Sequence, residues 1–292
     1  MQKINILLAL SFILSARVLN AQEIPDKVAI EICNCVDTVE NMDSLEARID
    51  SCAQTALATV LESASEEVQE IYSTDEAVEE TLNKTMQNLL GDCPKIRKLV
   101  VEDRRIKFYR RSDSPEANSC FDDANKLFEK EDYKAALKLY SRAFRKDPSF
   151  IYAIDNLALA YRKMGDLNNA IKYYNKSLSI YPEGSFALQN LAYAYTLNKD
   201  LQNALACYQK LAFFYPDNAE GYFGIGKLFV AVGDYENAID YVFTAHRIYT
   251  AEKSEYAKES EQLIAVIYNK LREQNKLDLF RSKAKAFGID YN

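Results

Sequence analysis

The chain has 292 residues, 48% of them hydrophobic, and a formal net charge of −7. That is enough apolar material for a sizeable core, in one elongated array or two modest domains, while the acidic balance excludes a general electrostatic hold on nucleic acid. Eight Gly and 6 Pro against 20 Tyr, with one His and no Trp, suit helices packed on helices better than a loop-rich enzyme.

Residues 1–21 read as an export signal. Lys3 supplies a short positive start, Ile4 to Leu14 an apolar run, and Ala21 a small residue before a cut that leaves Gln22 first. The run is short for a membrane span, and no long apolar stretch follows it. The expectation is a mature chain without a transmembrane span, exported to the periplasm or cell envelope or secreted. Retention of the segment as an anchor is the alternative.

Residues 22–113 read as a helical, cysteine-containing bundle. Val28, Ile32, Cys35, Val36 and Val39 share one helical face. Leu45, Ile49, Cys52, Ala53, Ala56 and Val60 form a second stripe, behind a capping-box-like start at Asp43 and Glu46. Val78, Leu82, Met86 and Leu89 predict a third helix, and Pro94 is placed to open a fourth. Glu23 to Asp92 holds 17 acidic and 3 basic residues, whereas Lys95 to Arg111 holds 8 basic and 2 acidic. This basic segment is expected to neutralise its own acidic bundle, or to offer a surface to an anionic partner.

Four cysteines, Cys33, Cys35, Cys52 and Cys93, lie in this module, and an even count in an exported domain reads as two disulfides. Cys33 and Cys35 diverge by roughly 200° on one helix, so each pairs with Cys52 or Cys93, in either connectivity. Zinc binding by the four sulfurs and a reactive thiol pair are the sharper alternatives. Cys-x-Cys is not the usual zinc spacing, and Glu31 and Asp37 make the setting acidic, against a lowered thiol pKa.

From residue 114 onward a period of 34 takes over. Pro148, Pro182 and Pro216 keep it, as do Asp132, Asp166, Asp200 and Asp234. So do Ala136, Ala170, Ala204 and Ala238, and Tyr140, Tyr174 and Tyr208. Counted from starts near Ala117, Ile151, Ser185 and Ala219, position 8 is small (Ala124, Ala158, Ala192, Gly226) and position 11 bulky (Leu127, Tyr161, Tyr195, Phe229). This pattern resembles the tetratricopeptide repeat family. Each such unit is a pair of antiparallel helices that must stack on neighbours to bury its apolar face. Small residues let backbones approach, Asp caps the second helix, Gly165 and Gly233 suit the end of the first, and Pro stops the second. Residues 114–252 thus read as four repeats. Residues 253–292 read as a degenerate fifth repeat and cap, with Ala265, Tyr268 and Ala284 at the small and bulky positions, and Thr250 where Pro is expected. The expected fold is all-α, a disulfide-stapled bundle followed by an α-solenoid.

The resemblance implies a groove lined by positions 2, 5, 9 and 12 of the first helices. Here these are Phe121, Asn125 and Phe128; Tyr152, Asp155, Leu159 and Arg162; Phe186, Gln189, Tyr193 and Thr196; and Phe223 and Lys227. Aromatic anchors with a few amide and basic groups suit an extended peptide or a helix. Asn125, Asn156 and Asn190 supply the amides of a carboxylate clamp, but the clamp is poorly supported, because Phe121 and Phe186 stand where clamp lysines belong. Catalysis finds no foothold. His246 has no Ser or Cys fixed beside it by spacing, and the run from Gly221 to Gly226 falls inside a helix with no preceding strand. Cys120 and Cys207 read as buried free thiols. The sequence thus predicts a non-enzymatic protein- or peptide-binding scaffold with no cofactor and no metal. A structural subunit of an envelope assembly, or a thiol or zinc protein, are the alternatives. Partner identity and oligomeric state are not encoded in these patterns.

Overall fold

A computed structural model describes residues 23–289, and the signal-segment reading of residues 1–21 lies outside them. The described residues form fifteen helices and no strand. The chain divides into two compact units, Met1–Leu99 and Val100–Asn292.

The first unit packs α1 (Ile24–Cys35) against α2 (Met42–Glu62) and α4 (Asp75–Asp92), with the short α3 (Glu66–Ile71) between the latter two. Its core holds Val28, Ile32, Leu45, Cys52, Ala56 and Val60, the two stripes expected from the sequence. The cap of α2 differs from expectation. Asn41 Oδ1 accepts the Ser44 N–H at 2.9 Å, and Asp43 sits in the first turn. The buried face of α4 also differs. Thr81, Thr85 and Leu89 point inward, whereas Met86 is exposed. The inward threonines remain satisfied, since Thr85 donates to the Pro25 carbonyl (3.3 Å) and Thr81 to the Tyr72 hydroxyl (3.3 Å). Disulfides join Cys33 to Cys93, with Cα atoms 5.4 Å apart, and Cys35 to Cys52, at 5.7 Å. This selects one of the two connectivities left open by spacing. A disulfide sulfur is neither a thiolate nucleophile nor a ready zinc ligand.

Helix α5 (Pro94–Phe108) starts at the expected proline. The basic residues of segment 95–111 divide. Arg97 donates to the Leu90 and Gly91 carbonyls in the first unit. In the second unit Arg104 pairs with Glu183 at 2.9 Å, and Arg111 grips Asp122 through two 2.7 Å bonds. Arg104 and Arg111 thus serve the repeats, not the acidic bundle. The compact second unit accordingly begins at Val100, ahead of the boundary read from sequence, because residues 100–113 carry few of the repeat's ladder positions but many of its contacts.

Five helix pairs follow in the second unit. They are α6 (Pro115–Glu129) with α7 (Tyr133–Lys146), α8 (Ile151–Lys163) with α9 (Leu167–Ile180), and α10 (Ser185–Leu197) with α11 (Leu201–Phe214). Then come α12 (Ala219–Ala231) with α13 (Tyr235–Ala251) and α14 (Ala257–Glu273) with α15 (Leu277–Phe287). Ala136, Ala170, Ala204 and Ala238 are fully buried where helices cross. Asp132, Asp166, Asp200 and Asp234 each accept a backbone N–H three residues on, at 3.0–3.2 Å. Gly165 and Gly233 turn the chain with φ near +80°; Glu131, Lys199 and Asn275 take the equivalent left-handed position without a glycine. With Thr250 in place of proline nothing halts α13, and it runs on to Ala251.

Candidate functional site

The first helices of neighbouring pairs, α8, α10, α12 and α14, touch one another in sequence and present positions 2, 5, 9 and 12 along one side. Beneath that side stand the tyrosines of the second helices. The Tyr140 hydroxyl donates to Asn125 Oδ1 at 2.6 Å. Burial raises the Tyr174 hydroxyl far above its ordinary pKa, although the Arg162 guanidinium opposes the shift. Tyr208 faces Thr196, and burial pushes its pKa up to about 12. The tyrosine ladder therefore fills the interior; the Tyr140 tip is tied to a groove position, whereas the buried Tyr174 hydroxyl has no hydrogen-bond partner among the described residues.

Polar links run from repeat to repeat along the same side. Arg162 reaches Asn190 Oδ1 at 3.2 Å and lies 4.9 Å over the Tyr193 ring. Gln189 donates to Glu220 at 3.0 Å, and the Tyr249 hydroxyl to the same carboxylate at 2.6 Å. Lys227 pairs with Glu259 at 3.4 Å and stands 5.0 Å over Phe223.

The predicted groove residues divide into three groups. Tyr193 and Lys227 are exposed. Asn125, Phe128, Tyr152, Arg162, Phe186 and Gln189 are half-buried. Phe121, Asp155 and Phe223 are buried and do not line a free surface. Phe121 packs its ring among Tyr140, Phe150 and Tyr152; Phe223 packs against Tyr249. Asp155 is covered by Tyr109, whose hydroxyl donates to Asp155 Oδ2 at 2.8 Å and whose ring lies 4.3 Å from Tyr152. Burial raises the Asp155 carboxyl to about 7, against the hydrogen bonds from Ser177 and Tyr109 that favour its charged form. The segment before the first repeat thus occupies positions 2 and 5 of the second.

Asn190, Glu220 and Glu259 belong to this surface, and the two glutamates were not singled out from sequence. Glu220 is legible as position 2 of its repeat. Tyr109 lies outside the ladder and left no periodic signal. The amides that suggest a clamp are engaged internally, since Asn156 and Asn190 donate to the carbonyls of Tyr152 and Phe186, one helical turn back.

His246 does have a serine neighbour, with Nδ1 2.9 Å from Ser260 Oγ. That hydroxyl is fully buried and donates to the Ala257 carbonyl at 2.7 Å, so its proton is already committed. Gly221, Gly224 and Gly226 lie in α12 as close-packing positions. A Cβ at Gly224 would come within 2.4 Å of the Tyr208 ring, and one at Gly226 within 2.4 Å of Val242. Cys120 and Cys207 are buried free thiols, and burial pushes Cys207 up to about 11.

Two family models, both described as tetratricopeptide repeat, match residues 156–183 and 187–217. The sequence matches no protein of curated function. Among solved structures, the fold is similar to a MamA RS-1 ArsTM double mutant, with 13% identity and a TM-score of 0.50, over 61% of this chain and 95% of that one. A tetratricopeptide repeat protein from Parabacteroides merdae shows 20% identity and a TM-score of 0.49, over 61% of this chain and 69% of its own. Matched repeats and stacked helix pairs agree: residues 156–183 and 187–217 are tetratricopeptide repeats.

Proposed function

We propose that this chain is a non-enzymatic scaffold, exported to the cell envelope or beyond, that holds a peptide or helix of a partner protein along the first helices of its repeats. The observation that carries the reading is the strip around Tyr193 and Lys227. An exposed tyrosine and an exposed lysine stand there with half-buried Arg162, Phe186 and Gln189 beside them. Large aromatic and cationic side chains held by neighbours lose little entropy on binding. The inter-repeat links through Asn190, Glu220 and Glu259 hold that strip in place. The strip lies toward the third and fourth repeats, because Tyr109 covers Asp155 and packs on Tyr152 nearer the array's start. Two disulfides in the first unit favour an oxidising compartment.

The reading is tested with peptide display on the chain from Gln22 onward. Selected ligands should bind a Tyr193→Ala, Lys227→Ala variant at least about tenfold more weakly, with the far-UV circular dichroism and thermal midpoint unchanged. Ligands that bind the folded variant equally well would place recognition elsewhere. Export is tested separately, by fractionating cells that express the full chain and sequencing its mature N-terminus.

A further inference from the structure

The second helices of the first three repeats carry an unusual charge pattern for a chain of net charge −7. Helix α7 has five basic residues, α9 two and α11 one, and none of the three has an acidic residue. All eight side chains are exposed. They keep the repeat period. Lys138 and Lys172 share one position, and Arg142, Lys176 and Lys210 share another, each 34 residues from the last. Stacking therefore sets like charge beside like charge on successive helices; α7 and α9 are close enough for Phe144 and Tyr173 to meet edge to face at 6.0 Å. Packed helices lie on the order of 10 Å apart, about one Debye length at physiological salt, so the repulsion is only partly screened.

The fold does not require this arrangement. In the fourth and fifth repeats the matching helices carry mixed charge and pair directly, Lys283 with Asp240 at 2.6 Å and Lys276 with Glu236 at 2.5 Å. In the first repeat Arg142 and Lys146 share Glu116, both at 2.8 Å. Among the described residues, Lys134, Lys138, Arg145, Lys176 and Lys210 take part in no ion pair. The complementary charge sits in the first unit. Between Glu66 and Glu80 the sequence has seven acidic residues and no basic one, all exposed and none in an ion pair among the described residues. Glu76, Glu79 and Glu80 lie on one side of α4, spaced three and four apart.

We infer that the cationic face of α7, α9 and α11 is a docking surface for a second copy of this chain, which presents the acidic face of its α4. The contact is heterologous, one surface on one copy and a different surface on the next. It goes beyond the groove reading, uses different helices, and leaves Tyr193 and Lys227 free. The attraction is electrostatic at an exposed surface, so it is strongly salt-dependent.

Sedimentation velocity on the chain from Gln22 onward tests this. At about 20 mM salt the sedimentation coefficient should rise with protein concentration, and about 0.5 M salt should weaken association at least tenfold. A Lys138→Glu, Lys172→Glu, Lys176→Glu variant should remain monomeric at low salt. So should a Glu76→Lys, Glu79→Lys, Glu80→Lys variant. An equimolar mixture of the two should associate again, because each reversed surface then meets its complement. Unchanged thermal midpoints establish that both variants fold, since every altered side chain is exposed. The inference is overturned if the unaltered chain stays monomeric at low salt, if either variant still associates alone, or if the mixture does not. It is equally overturned if the lysine face binds anionic phospholipid vesicles while the chain does not self-associate.

Discussion

Asp155 shows how a single position can leave a binding surface and enter the core. Its place in the repeat is a groove position, yet the Tyr109 hydroxyl meets it at 2.8 Å and the side chain is fully buried. Burial raises its carboxyl to about 7, above the usual carboxylate range. The folded chain therefore binds this proton more tightly than the unfolded chain. The resulting stability is fully present below the unfolded pKa of about 4 and is lost as pH rises through about 7. Urea denaturation at pH 5 and pH 8 should show this loss in the unaltered chain and a smaller one in Asp155→Asn. Equal losses in the two would show that Asp155 is not the titrating group. Gly165, at φ +81°, is a second residue-scale case. Gly165→Ala should cost about 1–2 kcal/mol by forcing a side chain into the left-handed region. Lys199, already at φ +60°, should respond oppositely, with Lys199→Gly neutral or stabilising in the same assay.

At the scale of the helix, the repeat places small residues where two helices cross, and these positions were legible because each ladder repeats every 34 residues. The fully buried alanines at 136, 170, 204 and 238 stand where the ladder puts them. Helix α12 takes the same logic further. A Cβ on Gly221 would lie 2.7 Å from the backbone nitrogen of Ala212, which cannot rotate away. Gly221→Ala should lower stability by about 1–3 kcal/mol, read as a fall in thermal midpoint. Gly91 in α4 has nothing within 4 Å of that position, so Gly91→Ala should raise stability by about 0.5 kcal/mol through helix propensity. Opposite signs from one substitution type separate crossing glycines from permissive ones. Helix α4 forms where Val78, Leu82, Met86 and Leu89 predict a helix, but a different face turns inward. A hydrophobic stripe through Met86 was expected, but Thr81 and Thr85 face inward with Leu89. Threonine is polar by composition and can still be buried when its hydroxyl finds an acceptor, as Thr85 does at the Pro25 carbonyl.

Across the molecule, the two units rest on different stabilising devices. The repeats bury aromatic rings and alanines in a continuous stack, whereas the first unit is closed by disulfides across 60 and 17 residues of sequence. Each bridge should contribute about 2–4 kcal/mol, the longer loop more. Cys33→Ser, Cys93→Ser should therefore destabilise the first unit more than Cys35→Ser, Cys52→Ser. Hydrogen exchange resolved by residue gives the check, with protection lost in α1, α2 and α4 and retained in α8–α13. Equal loss in both units would mean that the bridges stabilise more than the bundle that holds them.

The sequence by itself determined the helical class, the repeat, its period, its caps and the positions of close helix crossing. Those features recur at a fixed spacing, so each copy reports on the others. It also determined that Cys33 and Cys35 do not pair with each other, because one helix turns their side chains apart. Only the tertiary structure decided which partner each cysteine takes, and that Tyr109 covers Asp155 across 46 residues of sequence. It also decided that Phe121 and Phe223 pack inward while Tyr193 and Lys227 stay accessible. These outcomes depend on which surfaces meet once the helices have stacked. A contact made once, between segments that share no period, leaves no trace in the spacing of either.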